Sequence, residues 1–322
     1  MRTLLATHPS AVEHDMGRGH PERPDRVRAI EQALDESSFG ELLRIQSSKA
    51  DREDVLRVHS EAYVTALESA SPSEGLIALD SDTAMNSRTL DAAFFAAGGA
   101  VAAVAAVIEK RASNAFVVAR PPGHHAGVST PMGFCFLNNV AIAARNAIAR
   151  HGAERVAIVD FDVHHGNGTQ EIFWADPNVL FCSTHQAPFY PGTGWREETG
   201  EHGTIVNAPL RAGADGEVFL EALREVVLPR VKAFGPDLLL ISAGFDAHRD
   251  DPLGGMRLEE QDYFEATQRL LETADKCCEG RLVSLLEGGY DLAALGRSVA
   301  AHVAALQGAP RFSSGGLSPG GP

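Results

Sequence analysis

Cationic side chains are scarce in this chain. Lysine and arginine total 28 against 43 aspartates and glutamates, a formal net charge of −15. Such a protein repels phosphate backbones, which argues against general nucleic-acid binding, and it attracts cations such as metals, polyamines or lysine-rich peptides. Cysteine is scarce as well. The four present, Cys135, Cys182, Cys277 and Cys278, have no metal-finger spacing, and a reduced compartment suits them. Long apolar runs are missing: none reaches the ~18 residues that a membrane helix needs. The nearest, Ala92 to Ile108, is filled mostly by alanine and glycine. Residues Met1 to His8 lack the charged-then-apolar layout of a secretion signal. The expectation is a cytoplasmic protein with no membrane and no nucleic-acid partner.

What is present is ordinary globular material: 322 residues, 44% hydrophobic and 22% charged. Short apolar runs alternate with helical stretches. Strands are expected at Thr3–Thr7, Leu43–Gln46, Ala115–Ala119, Arg155–Asp162, Val179–Ser183, Thr204–Asn207, Asp237–Ser242 and Arg281–Leu286. Helices are expected at Arg23–Asp35, Asp51–Ser69, Ser87–Glu109, Asn138–His151, Gly216–Ala233, Glu259–Ala274 and Leu292–Leu306. Continuous runs such as RVAIVDF and DLLLISAGF are those of strands covered on both faces. The alternation predicts one α/β domain over residues 1–307, with a central, mostly parallel sheet of about eight strands and helices on both faces. The Gly-, Pro- and Ser-rich stretch 308–322 is expected to be a flexible tail.

Ligands of such folds bind beyond the carboxyl ends of the strands. The segments at the ends of the expected strands include RPPGHHAG, DFDVHHGNGTQ, STHQ, SAGFDAHRDD and LLEGGYD, so nearly every polar cluster falls at a strand end. Side-chain alternation would put Asp160, Asp162 and His164 on one face of a buried strand, costly without a cation. Asp and His suit a divalent metal such as zinc, and Asp246, ending another apolar strand, would complete a three-ligand set with an open position. His248 is a competing ligand, ranked lower because AHRDDPLGG reads as loop. Two carboxylates offset much of the metal's charge, so a neighbouring general base would help.

His124 and His125 sit on a loop bounded by Pro121, Pro122 and glycines. Adjacent histidines can be a metal pair, a proton-transfer pair or surface; beside a carboxylate-rich strand end, proton transfer is the better reading. Asp160 could orient one of them and Asn167 the other. Tyr290 comes after two glycines that permit a sharp turn, and its hydroxyl could donate to an oxyanion; packing alone would also account for a lone tyrosine. Gly133, Phe134, Phe136, Phe189 and Tyr190 supply walls for a narrow channel or rings for the core.

The combined set RPPGHHA, GFCFLNNVAIAA, DFDVHHGNGTQ, YPGTG, SAGFDAHRDDPLGG and LEGGYD resembles the histone deacetylase and acetylpolyamine amidohydrolase superfamily, and looks like a bacterial class II-type member. The resemblance runs from Gly19 to about Leu306. It implies an arginase–deacetylase fold and zinc held by Asp162, His164 and Asp246. It implies His124 and His125 as the catalytic pair, supported by Asp160 and Asn167, with Tyr290 polarising the substrate carbonyl. Asp82 falls where the family grips the substrate backbone, and Gly133, Phe134, Tyr190 and Leu253 would line the substrate channel. A structural potassium ion is implied at Asp160, Asp162, His164 and Ser183.

Asn167 stands where class I relatives have Asp. Leu253 stands where polyamine-selective class IIb-type relatives carry Glu, which favours acyl-lysine-like substrates. The reading is a zinc-dependent amidohydrolase removing acetyl or another short acyl group from an acylated lysine peptide or a small acylated amine. The alternatives are an acetylpolyamine amidohydrolase and, from another class, a weakly catalytic acyl-lysine binding module. An arginase-like ureohydrolase needs two metals and more Asp ligands than are found. Homo-oligomerisation is left open.

Overall fold

The computed structural model describes residues 2–312; residues 313–322, most of the expected tail, lie outside the described residues. The strands are β1 (Thr3–Thr7), β2 (Leu43–Gln46), β3 (Ile77–Ala78), β4 (Ala84–Met85), β5 (Asn114–Val117), β6 (Val156–Asp160), β7 (Val179–Gln186), β8 (Ile205–Leu210), β9 (Leu238–Ala243) and β10 (Leu282–Leu286). The helices are α1 (Asp25–Ala33), α2 (Glu36–Phe39), α3 (Arg52–Leu56), α4 (Glu61–Ala70), α5 (Thr89–Ile108), α6 (Asn139–His151), α7 (Asn167–Phe173), α8 (Gly216–Ala222), α9 (Leu228–Phe234), α10 (Glu260–Cys278) and α11 (Leu292–Leu306).

Eight strands form one sheet in the order β2-β1-β5-β10-β9-β6-β7-β8, and every pairing in it is parallel. The strands read as continuous apolar runs because both faces are covered. On β6, Ala157 and Val159 enter one core, shared with α1, α10 and α11, while Val156 and Ile158 enter the other, shared with α5 and α6. On β9, Leu239 and Ile241 divide from Leu238 and Leu240 in the same way. Alternation along a doubly buried strand therefore builds two cores at once.

Three local expectations are corrected. The stretch 51–69 is two helices, because Ser60 leaves the helix with φ −66° and ψ 146° and caps α4 by accepting from the Tyr63 N–H at 3.2 Å. The stretch 216–233 holds a π turn at Leu223–Val227 between α8 and α9, just before Pro229, whose missing N–H cannot continue a regular ladder. β6 ends at Asp160, not Asp162, so strand alternation does not bring Asp160, Asp162 and His164 together. Sequence reading missed α7 and the antiparallel hairpin β3–β4.

Candidate active site

Four adjacent central strands, β5, β10, β9 and β6, point their carboxyl ends to one edge of the sheet. The loop after β5 carries His124 and His125, that after β6 carries Asp162 and His164, that after β9 carries Asp246, and that after β10 carries Tyr290. Parallel pairing, with Asp160 opposite Ser242 and Ala243 opposite Leu286, sets these loops side by side.

Asp162, His164 and Asp246 bring one donor atom each within 4.8 Å of one another, all three groups being buried. His164 Nδ1 lies 3.1 Å from Asp162 Oδ1 and 3.2 Å from Asp246 Oδ2. Backbone N–H groups aim the carboxylates. Val163 donates to Asp246 Oδ1 at 2.9 Å, and Gly288 donates to Asp162 Oδ2 at 2.8 Å. Asp246 Oδ2 is left buried and accepts no hydrogen bond. A Cβ on Gly288 would stand 2.1 Å from that same oxygen, so only glycine lets β10 approach so closely. Burial and the neighbouring Asp162 charge push the Asp246 carboxyl up to about 7. Burial disfavours a charged His164, yet contacts with Asp162 and Asp246 push it up to about 10. Two crowded carboxylates with an unsatisfied oxygen and one imidazole are what a divalent cation would relieve, and the donor set fits zinc. His248 lies outside this cluster; its Nε2 faces Glu260 Oε1 at 3.5 Å.

The two histidines are oriented by separate partners. His124 Nδ1 donates to Asp160 Oδ2 at 3.0 Å, and His125 Nδ1 donates to Asn167 Oδ1 at 2.7 Å. Burial opposes charge on both. For His124 the carboxylates of Asp160, Asp162 and Glu287 overcome it and raise the pKa. For His125 burial and then the charges of His124 and His164 lower it. The two are thus pushed in opposite directions, His124 toward its charged form and His125 toward its neutral one.

Above them opens a cavity of about 440 Å³, lined by His125, His164 and Tyr290 and walled by Gly133, Phe134, Phe189, Tyr190 and Leu253, with Asp82 at its border. Phe134 is a non-glycine residue at φ 69°, a costly conformation that projects its ring into the wall. Phe136, by contrast, is core. Asp82 sits in the β3–β4 turn, where its backbone carbonyl accepts from His20 Nε2 at 3.1 Å. Ser183 lies beside Asp160 in the β6–β7 register, buried, with its Oγ 2.8 Å from His185 Nδ1.

Sequence reading missed Glu287. It is wholly buried, accepts from the Gly123 and His124 N–H groups at 2.7 and 3.1 Å, and is pushed up to about 7 by burial. A carboxylate directly after an apolar strand was the available signal. Glu22, Arg26 and Arg120 form another buried cluster: Glu22 Oε1 accepts from Arg26 at 3.0 Å and Arg120 at 2.6 Å, and the Arg26 guanidinium lies 4.8 Å from the centre of the Tyr290 ring.

A single α/β domain whose all-parallel sheet gathers these groups at one edge has the arginase–deacetylase fold. Residues 20–306 match the Histone deacetylase domain, and the chain belongs to the histone deacetylase family. It is 44% identical over 298 residues to a "Probable deacetylase" of Archaeoglobus fulgidus, covering 91% of this chain and 82% of that one. It is 39% identical to a "Histone deacetylase-like amidohydrolase" of Pseudomonas aeruginosa, covering 87% and 74%. The solved HDA15 HD domain superposes with a TM-score of 0.90 at 38% identity, covering 95% of this chain and 91% of that chain. These likenesses support deacetylase activity, hydrolysis of an amide, for this chain.

Proposed function

We propose that the protein is a zinc-dependent deacetylase acting on acetylated or short-acylated lysine side chains. The observation that carries this is the convergence of Asp162, His164 and Asp246 beside an oriented histidine pair at the base of an apolar-walled cavity. Zinc held by those three residues would supply Lewis-acid polarisation of the amide and acidification of a water. We extend the proposal to a potassium ion held by Asp160, Asp162, His164 and Ser183, supported by the burial and register pairing of Asp160 and Ser183.

The protein's own groups divide the remaining work. His125 commits its Nδ1–H to Asn167, so its Nε2 is free to take the proton of the attacking water as general base. His124, tied to Asp160 and pushed toward its charged form, favours negative charge developing next to it. The Tyr290 hydroxyl donates to the oxyanion of the tetrahedral state. His125 then returns its proton to the leaving amine. Gly133, Phe134, Tyr190 and Leu253 hold the alkyl chain and exclude water, and Asp82 accepts from a substrate backbone N–H at the mouth. Leu253 offers no carboxylate to a second ammonium, which supports acyl-lysine over acylated polyamine.

Paired turnover of the zinc-loaded protein on an acetyl-lysine peptide and on acetylputrescine, with and without a hydroxamate chelator, tests the reading. Chelator-sensitive preference for the peptide is expected. Preference for acetylputrescine would reverse the substrate class, and turnover of neither would sink the activity.

A further inference from the structure

Two glycines, Gly288 and Gly289, precede Tyr290, and Gly289 holds φ at 122°. That freedom permits the turn but cannot fix where the tyrosine stands, so the position has to be imposed from outside. Part of the restraint is Arg26, which donates to the Gly289 carbonyl at 2.6 Å. The rest comes from a residue that the mechanism above does not use. Asp251, in the loop after β9, is only 7% exposed. Its Oδ2 accepts from the N–H groups of Tyr290 at 2.6 Å and Asp291 at 3.2 Å, and its Oδ1 accepts from the Leu253 N–H at 2.9 Å. Tyr290 and Leu253 both line the cavity.

We propose that Asp251 is a positioning residue: its carboxylate clasps the Tyr290 turn to the Leu253 loop and so sets the tyrosine hydroxyl and the channel wall relative to each other. The assignment of a catalytic consequence rests on the deacetylase reading above. A carboxylate suits the task because it is acceptor-only and can take three N–H donors on two oxygens. An asparagine of the same shape has one oxygen. Its amide nitrogen would face a backbone N–H and leave a buried donor unpaired.

The substitution Asp251→Asn, made in the zinc-loaded enzyme and again in a Tyr290→Phe background, tests this. In the wild-type background kcat is expected to fall roughly tenfold or more, since small misplacements of catalytic groups are costly. KM should stay within about threefold and zinc content should be unchanged. In the Tyr290→Phe background the same change should cost less than about twofold, because the hydroxyl it positions is already gone. An unchanged kcat overturns the proposal. So does an equal fractional loss in both backgrounds, which is what a merely structural role would give.

Amide hydrogen exchange provides an arm that needs no turnover. The Tyr290, Asp291 and Leu253 amides should be protected in the wild-type protein and lose protection in Asp251→Asn, while β9 and β10 keep theirs. Rapid exchange of Tyr290 in the wild type overturns the clasp, even if the variant fails to fold. Absence of wild-type activity on the peptide would sink the deacetylase reading, while the exchange result would still decide the clasp.

Discussion

Tyr290 contributes one hydroxyl to the cavity, and its replacement by phenylalanine keeps the ring against Phe134 and Arg26 while removing that donor. Turnover should fall roughly 10²–10³-fold, the usual cost of one oxyanion donor, with zinc content unchanged by elemental analysis. Asn167 offers a second residue-scale test. Burial first, and positive charge beside the ring, hold the His125 pKa below its ordinary value, which favours the neutral base. Asn167→Asp puts an anion on Nδ1 and favours the imidazolium, so the pKa rises. A base works unprotonated, so the acid limb of the kcat/KM profile should move to higher pH, by about one unit or more. A limb that stays in place or moves down would remove His125 from the role of base. Asp162, His164, Asp246, the histidine pair and Tyr290 could be picked out of the sequence because each belongs to a polar segment that follows an apolar strand. Glu287 breaks an apolar strand just as plainly, but most of its partners, like those of Asp251, are backbone N–H groups from distant loops, which side-chain composition does not show, so neither was given a role. Asp162 and His164, expected to share a face through strand alternation, do lie together, but a different local geometry gathers them: it is the loop after Asp160, held by the Asp162 and Val163 N–H groups, that aims them.

The central elements were legible because hydrophobic runs bounded by turn residues leave few alternatives, as β1 and α11 illustrate. The missed α7 begins Asn-Gly-Thr-Gln, and two glycines flank its first turn. Its helical state comes from tertiary contacts, such as the Thr169 N–H to the His124 carbonyl at 3.2 Å, rather than from propensity. The break at Ser60 has a measurable cost. Ser60→Ala removes the α4 cap and should lower stability by about 1 kcal/mol in a denaturant titration. The seam between α10, α11 and β10 holds His302, whose ring nitrogens lie 2.7 Å from Thr267 Oγ1 and 2.8 Å from Ser284 Oγ. Burial pushes its pKa down to about 3 from 6.5. The unfolded chain therefore takes up a proton on this ring at a pH where the folded one does not. The stability it contributes is complete above pH 6.5 and is lost as pH falls toward 3, at about 1.4 kcal/mol per unit. Between pH 6.5 and 5 the wild-type Tm should fall more steeply than that of His302→Gln.

Over the whole molecule, a net charge of −15 creates a field that attracts cationic molecules. Under the proposed function, kcat/KM for an acetyl-lysine peptide flanked by arginines should decline as salt rises from low to physiological strength, and a neutral peptide should respond little. The sheet order carries a different consequence. β5, β10, β9 and β6 are neighbours in space but lie in the order β5, β6, β9, β10 along the chain. Under the proposed function the zinc donors are therefore split between the loops after the non-consecutive strands β6 and β9, and an unfolded chain would present Asp162 and His164 without Asp246 beside them. Fragments ending before β9 have no complete cradle, and a half-formed sheet gains nothing from the ion. On that proposal, bound metal would act as a fastener that closes only on the finished sheet. Its expected thermal signature is a melting midpoint that climbs with free zinc, and release of the ion in one step with global unfolding.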